Sequence, residues 1–97
     1  MVIKKPGATP RKVLVSFAFP ATIWAESVHL VGDFNGWDRQ SHPLILSEED
    51  WHITLELDQG KPYRFRYLVD NDRWCNDWGA DSYVVHPLGG YDSVINV

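Results

Sequence analysis

Hydrophobic and polar side chains alternate along most of the chain with a period of two residues, the pattern expected of half-buried β-strands. Val13, Val15, Phe17 and Phe19 share one face of the first predicted strand, which ends at Pro20. The same alternation returns at residues 28–34, 51–57, 63–69, 82–86 and 93–97. No segment shows a sustained helical period, so the pattern predicts an all-β protein.

The most clearly defined pair of predicted strands is a hairpin in the middle of the chain. Its two strands, residues 51–57 and 63–69, are joined by the turn Asp58-Gln59-Gly60. The second strand has two distinct faces, with Tyr63, Phe65, Tyr67 and Val69 on one and Arg64, Arg66 and Leu68 on the other. About six or seven short strands separated by turns predict a two-sheet antiparallel β-sandwich.

The apolar face of each predicted strand supplies the expected core. The residues that we expect to be largely buried are Val15, Phe17, Leu30, Ile53, Leu55, Phe65 and Tyr67. Trp51 leads the alternating face of its strand and is expected to join them, and a core position is also expected for Trp24.

Composition narrows the classes of partner. The net charge of -4 and the pI of about 5.4 argue against a nucleic acid partner, which requires a basic surface. Aromatic residues make up 13% of the chain and include five Trp. We therefore expect some of these rings to act at the surface.

The chain carries no sign of a metal, a cofactor or a membrane anchor. Cys75 is the single cysteine, so no intrachain disulfide can form, and no Cys/His spacing resembles a zinc site. No segment approaches the ~20 apolar residues of a membrane span, and the start of the chain lacks the apolar run of a signal peptide. We expect a cytoplasmic protein with no cofactor.

The beginning of the chain differs in composition from the rest. Residues 1–10 contain Pro6, Gly7 and Pro10 and little apolar surface to bury. We predict that residues 1–10 form a flexible leader and that residues 11–97 form the domain.

The segment VHLVGDFNGWD at residues 28–38 resembles carbohydrate-binding module family 48, the isoamylase N-terminal or early-set domain. This family includes the N-terminal domains of glycogen branching enzymes and the glycogen-binding domain of the AMP-activated protein kinase β subunit. The similarity continues through Pro43-Leu44, Trp51, Gly60, Tyr67-Leu68-Val69-Asp70, Trp74, Leu88-Gly89-Gly90 and residues 93–97. It covers nearly the whole predicted domain.

The resemblance implies an immunoglobulin-like (early-set) β-sandwich that binds α-glucans such as glycogen or starch. It also implies that the chain is not an enzyme, because branching and debranching enzymes carry a catalytic barrel of about 250 residues after this domain. A glycogen-metabolising enzyme or another protein chain is a further possible partner.

The family's sugar-binding positions correspond to Trp37, Trp74, Arg66, Leu88 and Asp92. Asp92 stands where the family has Asn, which removes an amide donor and adds a negative charge. Trp78 stands where the family often has Pro, and it shares the register of Trp74 in an extended chain. Trp78 is therefore a further candidate.

The chemistry of glucose suits these residue types. A glucose ring has apolar C–H faces surrounded by hydroxyl groups, so a binding site needs flat aromatic platforms with hydrogen-bonding groups at their edges. Trp37 follows the turn Asn35-Gly36, where its ring would be exposed, and Arg66 lies on the polar face of its strand.

Two other functions stay open at this level. In the first, the fold is kept but sugar binding is lost, and the aromatic surface binds a protein; Asp92 is the residue that most favours it. In the second, the chain is a glycoside hydrolase, which requires two carboxylates facing each other across a cleft. The acidic segment 70–72 does not follow a calcium-loop pattern, since it lacks the glycine and the spacing that the loop needs.

Overall fold

The computed structural model describes all 97 residues and consists of nine β-strands and one short 3₁₀ turn at Asp33–Asn35. The strands are β1 (Val2–Pro6), β2 (Lys12–Pro20), β3 (Val28–Gly32), β4 (Ile45–Leu46), β5 (Asp50–Asp58), β6 (Pro62–Val69), β7 (Arg73–Cys75), β8 (Ser82–Val85) and β9 (Tyr91–Asn96). The predicted all-β class is confirmed. No helix is long and apolar enough to cross a membrane.

The strands form two antiparallel sheets that pack as a sandwich. The first sheet has the order β1-β2-β5-β4, and the second has the order β3-β6-β9-β8. In the second sheet, β6 also pairs with β7, beyond the point where its pairing with β9 ends. Both strands of the predicted hairpin are present, as β5 and β6, but they do not pair with each other, so the prediction of a hairpin is wrong. The turn between them carries the chain from the first sheet to the second.

Twelve buried side chains from both sheets form one hydrophobic core. Five of the seven residues predicted for this core are fully buried: Val15, Phe17, Leu30, Phe65 and Tyr67. Ile53 and Leu55 are only partly buried, because β4 pairs with β5 only at Trp51 and His52 and leaves the rest of β5 at the sheet edge.

The two tryptophans predicted to lie in the core have opposite outcomes. Trp51 is 8% exposed and belongs to the core, as predicted. Trp24 is 76% exposed, so its predicted core position is wrong. It lies in the loop between β2 and β3, outside any strand, and neither sheet covers its ring.

The prediction that the first ten residues lack regular structure is also wrong. Val2–Pro6 pair with β2 along their whole length, from Val2 opposite Phe17 to Pro6 opposite Val13. An edge strand bonds through its backbone and needs few apolar side chains; exposed Lys and Pro are common there because they discourage further strand pairing.

The register of the second sheet determines which side chains face outward. Arg66 lies opposite Val31 on β3, and Leu68 lies opposite Trp74 on β7. Partners in an antiparallel pair share a face, and residues two apart on one strand do as well. Arg66 and Trp74 therefore both project from the outer face, opposite the core.

Candidate functional site

The turn after β3 is built by its own side chains. The Gly32 N–H donates to Asn35 Oδ1 at 3.1 Å, and Asn35 Nδ2 donates to the Leu30 carbonyl at 3.0 Å. Gly36 and Trp37 both have left-handed backbone, with φ of 65° and 61°. Glycine adopts this conformation freely, but a tryptophan there is uncommon. The turn thus holds Trp37 in a fixed, strained backbone position.

The ring of Trp37 is held as well as its backbone. Its Nε1–H donates to Asp33 Oδ1 at 3.0 Å, and Asp33 Oδ2 accepts the Arg64 backbone N–H at 2.8 Å. On another side, the His86 ring meets the Trp37 ring edge-on, with centroids 5.5 Å apart. The indole is therefore preorganised, and its N–H already has an acceptor.

Arg66 is fixed by two acceptors. Its Nε donates to Asp92 Oδ1 at 2.7 Å, and its Nη2 donates to the Gly89 carbonyl at 2.9 Å. A Cβ at Gly90 would lie 3.2 Å from Nη2, so the loop backbone passes close to the guanidinium. Nη1 makes no hydrogen bond within the protein and is open to solvent.

Trp74 supplies the second indole. It lies on β7 opposite Leu68 and is 39% exposed. The Arg39 guanidinium carbon lies 5.3 Å from the centroid of its ring, within the range of a cation–π contact. Arg39 comes from the loop that follows Trp37, so this contact joins the two tryptophan segments.

The same loop is stabilised by Asp38. The backbone N–H of Gln40 donates to Asp38 Oδ1 at 2.8 Å. This hydrogen bond, with help from Ser41, lowers the pKa of the Asp38 carboxyl below its ordinary value. The carboxylate therefore stays charged and keeps the turn from Asp38 to Gln40 closed, which fixes the course of the chain at Arg39.

These side chains surround one open depression of about 530 Å³ on the outer face of the second sheet. Its lining residues are Trp37, Arg39, Arg66, Trp74, His86, Leu88 and Gly89. Leu88 is 93% exposed at the tip of the loop between β8 and β9. Four residues predicted from the sequence, Trp37, Trp74, Arg66 and Leu88, are thus brought together.

The sequence matches, over residues 15–85, the protein family described as the glycogen recognition site of AMP-activated protein kinase. The chain belongs to this family. The resemblance to carbohydrate-binding module family 48 is confirmed, and with it the assignment to a glycogen-binding class of domain.

Curated relatives of this glycogen-recognition domain are much longer proteins. The 1,4-alpha-glucan branching enzyme of Paramagnetospirillum magneticum is 36% identical over 76 residues, which are 72% of this chain and 10% of the enzyme. The branching enzymes of Butyrivibrio fibrisolvens and Burkholderia lata are 32% and 30% identical, over 84% and 69% of this chain. The chain spans only 14% and 10% of those two enzymes.

Asp92 does not line the depression of this glycogen-recognition domain. It is 1% exposed, and its carboxylate accepts from Arg66 and from His86 Nδ1, the latter at 2.8 Å. The prediction that Asp92 contacts sugar directly is therefore corrected. Arg66 and His86 cover its carboxylate, so Asp92 holds these two side chains in place.

Trp78 lies at a different place from the other candidates. It is 74% exposed and lines a second, apolar depression of about 440 Å³ that also includes Met1 and Phe19. The prediction that it shares a surface with Trp74 is wrong because the chain leaves β7 after Cys75 and is not extended through Asn76–Gly79. Asp77, 2% exposed, holds this turn by accepting the Gly79 N–H at 2.7 Å.

Three lining residues were not predicted from the sequence: Arg39, His86 and Gly89. A signal for His86 was present, since alternation along β8 puts Ser82, Val84 and His86 on one face, and Val84 lies opposite Asp92. Nothing comparable identifies Arg39, whose position depends on the course of an irregular loop.

Proposed function

We propose that the depression on the second sheet binds α-1,4-linked glucan chains, of the glycogen or starch type, without catalysing their conversion. The observation that carries the proposal is that two indoles line the same depression together with Arg66 and Leu88. One indole is the half-buried Trp37 in the turn after β3, and the other is the exposed Trp74 on β7. The family membership and the relatives named as branching enzymes for 1,4-alpha-glucan point to the same ligand class.

The arrangement suits a chain of glucose units. Trp37 and Trp74 offer flat apolar surfaces for the C–H faces of two sugar rings, and the exposed Leu88 can contact a third apolar edge. Arg66 Nη1 offers free donors at the edge of the platforms. Because the rings and the guanidinium are already held, little conformational freedom would be lost on binding.

The expected affinity is modest. Stacking one glucose on an indole removes about 100 Å² of apolar surface from water, worth roughly 2.5 kcal/mol at ~25 cal/mol per Å². Two such contacts and a few hydrogen bonds give a favourable free energy, from which the entropic cost of association must be subtracted. The remainder corresponds to a dissociation constant of about 10 μM to 1 mM.

The state of two nearby carboxylates supports a noncatalytic role. Glycoside hydrolysis uses two carboxyl groups facing the bond that breaks. Asp92 is buried in an ion pair, and Asp33 accepts hydrogen bonds from Trp37 and the Arg64 backbone. Neither is free to serve as an acid or a nucleophile in the depression.

Titration of isotope-labelled protein with maltoheptaose, followed by amide and indole NMR shifts, tests the proposal. Trp37→Ala and Trp74→Ala are each expected to weaken binding about tenfold, equivalent to ~1.4 kcal/mol, because each removes one platform. Trp24→Ala is the matched control: it removes an exposed indole that lines neither depression, and binding should not change.

The folded state of each variant is checked by its amide spectrum. No shift in the wild-type protein at millimolar maltoheptaose would contradict the proposal. Equal weakening by Trp24→Ala would show that binding does not depend on this depression.

A second candidate function is docking to a protein, and the exposed Trp78 beside its own apolar depression is the observation that favours it. The single Cys75 allows no intrachain disulfide, and we therefore take the compartment to be the cytoplasm. The partner class that fits is a glycogen-metabolising enzyme in that compartment. Failure of glucan binding together with Trp78-dependent capture of such an enzyme would favour this candidate.

A further inference from the structure

We propose that His86 is an additional glucan-binding residue, and that Asp92 orients it so that its Nε2 accepts a hydrogen bond from a sugar hydroxyl. This inference rests on the proposed function, since it assigns a role within the same depression. It adds a residue that the sequence motif did not indicate.

The geometry fixes which nitrogen of His86 faces the ligand. Nδ1 lies 3.0 and 2.8 Å from the two carboxylate oxygens of Asp92. A carboxylate only accepts hydrogen bonds, so Nδ1 carries a proton. In the neutral ring the other nitrogen, Nε2, then has a free lone pair. Nε2 makes no hydrogen bond within the protein and is open to solvent.

Two further contacts hold the imidazole at the edge of the depression. Its ring meets Trp37 edge-on at 5.5 Å between centroids, so it forms a wall beside the first platform. Its backbone N–H donates to the Gly90 carbonyl at 2.9 Å, which closes the loop that carries Leu88. The side chain is 22% exposed, so the ring is largely packed while one edge stays accessible.

His86 and Arg66 together present an acceptor and a donor in one site. Both are bound to the same buried carboxylate of Asp92, which sets the guanidinium and the imidazole side by side. Vicinal hydroxyls of a glucose can then accept from Arg66 Nη1 and donate to His86 Nε2. A site built only from arginine would offer donors alone.

Histidine-detected ¹⁵N–¹H spectra test the assignment directly. In the free protein at pH 8, His86 should show the Nδ1–H tautomer, and addition of maltoheptaose should shift the Nε2 resonance. His86→Ala is expected to raise the dissociation constant about three- to tenfold, the range for one hydrogen bond. His86→Gln, which keeps an accepting oxygen, should recover part of the affinity.

The matched control is His52→Gln on β5, in the other sheet and outside the depression, which should leave the affinity unchanged. If His86→Ala binds maltoheptaose like the wild type while Trp37→Ala does not, glucan binding stands and the role of His86 is refuted. An Nε2–H tautomer in the free protein would also refute it. Absence of binding by the wild type would refute both proposals.

Discussion

Arg66 and Asp92 form the most deeply buried ion pair of the molecule, with side chains 12% and 1% exposed. Removing two charges from water is costly, and the pair is stable only because each partner satisfies the other. Asp92 also binds His86, and Arg66 also binds the Gly89 carbonyl, so the pair anchors the loop between β8 and β9. A substitution at either position therefore affects folding as well as ligand contacts.

Replacing Arg66 by Leu should lower the free energy of unfolding by about 3 kcal/mol at neutral pH, because it leaves the Asp92 carboxylate buried without its cation. Asp92→Asn in the same chain should restore most of that loss. Urea unfolding of the two single variants and the double variant measures the coupling. Additive effects would mean that the two side chains do not interact in solution.

The same cycle separates stability from recognition. The double variant Arg66→Leu/Asp92→Asn is expected to fold but to bind maltoheptaose poorly, because the free Nη1 donors are gone. Wild-type affinity in a folded double variant would contradict the role given to Arg66.

At the scale of elements, β1 shows how an edge strand can be inconspicuous in the sequence. Four of its five residues are exposed, and Val2 alone packs against the core. Its pairing with β2 nevertheless satisfies backbone groups of a strand that would otherwise lie at the edge. Lys4 also donates to Asp81 at 2.7 Å, which links β1 to the segment before β8.

Deleting residues 1–6 should therefore lower the free energy of unfolding by at least about 1 kcal/mol, since several backbone hydrogen bonds and the Val2 contact are lost. The midpoint of urea unfolding should fall accordingly. The affinity for maltoheptaose should stay the same, because the depression lies on the other sheet. An unchanged midpoint would indicate that β1 contributes nothing to stability.

How much of these elements can be predicted depends on their length. Long strands such as β2, β5 and β6 carry several alternating residues, and all of them were predicted. β4 and β7 have two and three residues, too few to show a period. β1 has adequate length but lacks apolar alternation, because it is held by backbone hydrogen bonds to β2 and most of its side chains are exposed to solvent.

At the scale of the whole molecule, one polar cluster ties the two sheets together inside the sandwich. The Tyr67 hydroxyl on β6 donates to Asp77 Oδ2 at 2.6 Å, and the Ala18 carbonyl on β2 lies 3.5 Å away. The terminal ammonium of Met1 donates to the same carboxylate oxygen at 2.7 Å. Burial, and then the charge of Asp77, raises the pKa of Tyr67 well above its ordinary value.

This raised pKa predicts the behaviour of the protein in alkali. The stabilising contribution of Tyr67 is fully present below about pH 10, the ordinary pKa of tyrosine, and is lost as the pH rises through the higher folded-state value. In an absorbance titration, one of the four Tyr should ionise only as the protein unfolds. Tyr67→Phe should remove that late step, and its persistence would contradict the assignment.

The site was predictable where a motif sets the local geometry and not where tertiary contacts do. Trp37 follows its turn as predicted, although its ring is half-buried and not fully exposed. Arg66 follows the alternation of β6 and faces outward as predicted. The burial of Asp92 depends on Arg66 and His86 reaching it from β6 and from the end of β8, which no local motif indicates. The prediction that Trp78 shares a surface with Trp74 failed for a local reason, because Asp77 bends the turn that carries Trp78.

The shared carboxylate of Asp92 has a consequence for the descent of such domains. An ancestor with a neutral amide at position 92 could tolerate substitution of the basic residue at position 66. A lineage that acquires aspartate at position 92 must keep a cation at position 66. Loss of the cation at position 66 is then tolerated if position 92 is already an amide, and harmful if position 92 is still an aspartate. Arginine at 66 should therefore accompany aspartate at 92 as a covarying pair across relatives, and the amide should tolerate a wider choice of neighbours.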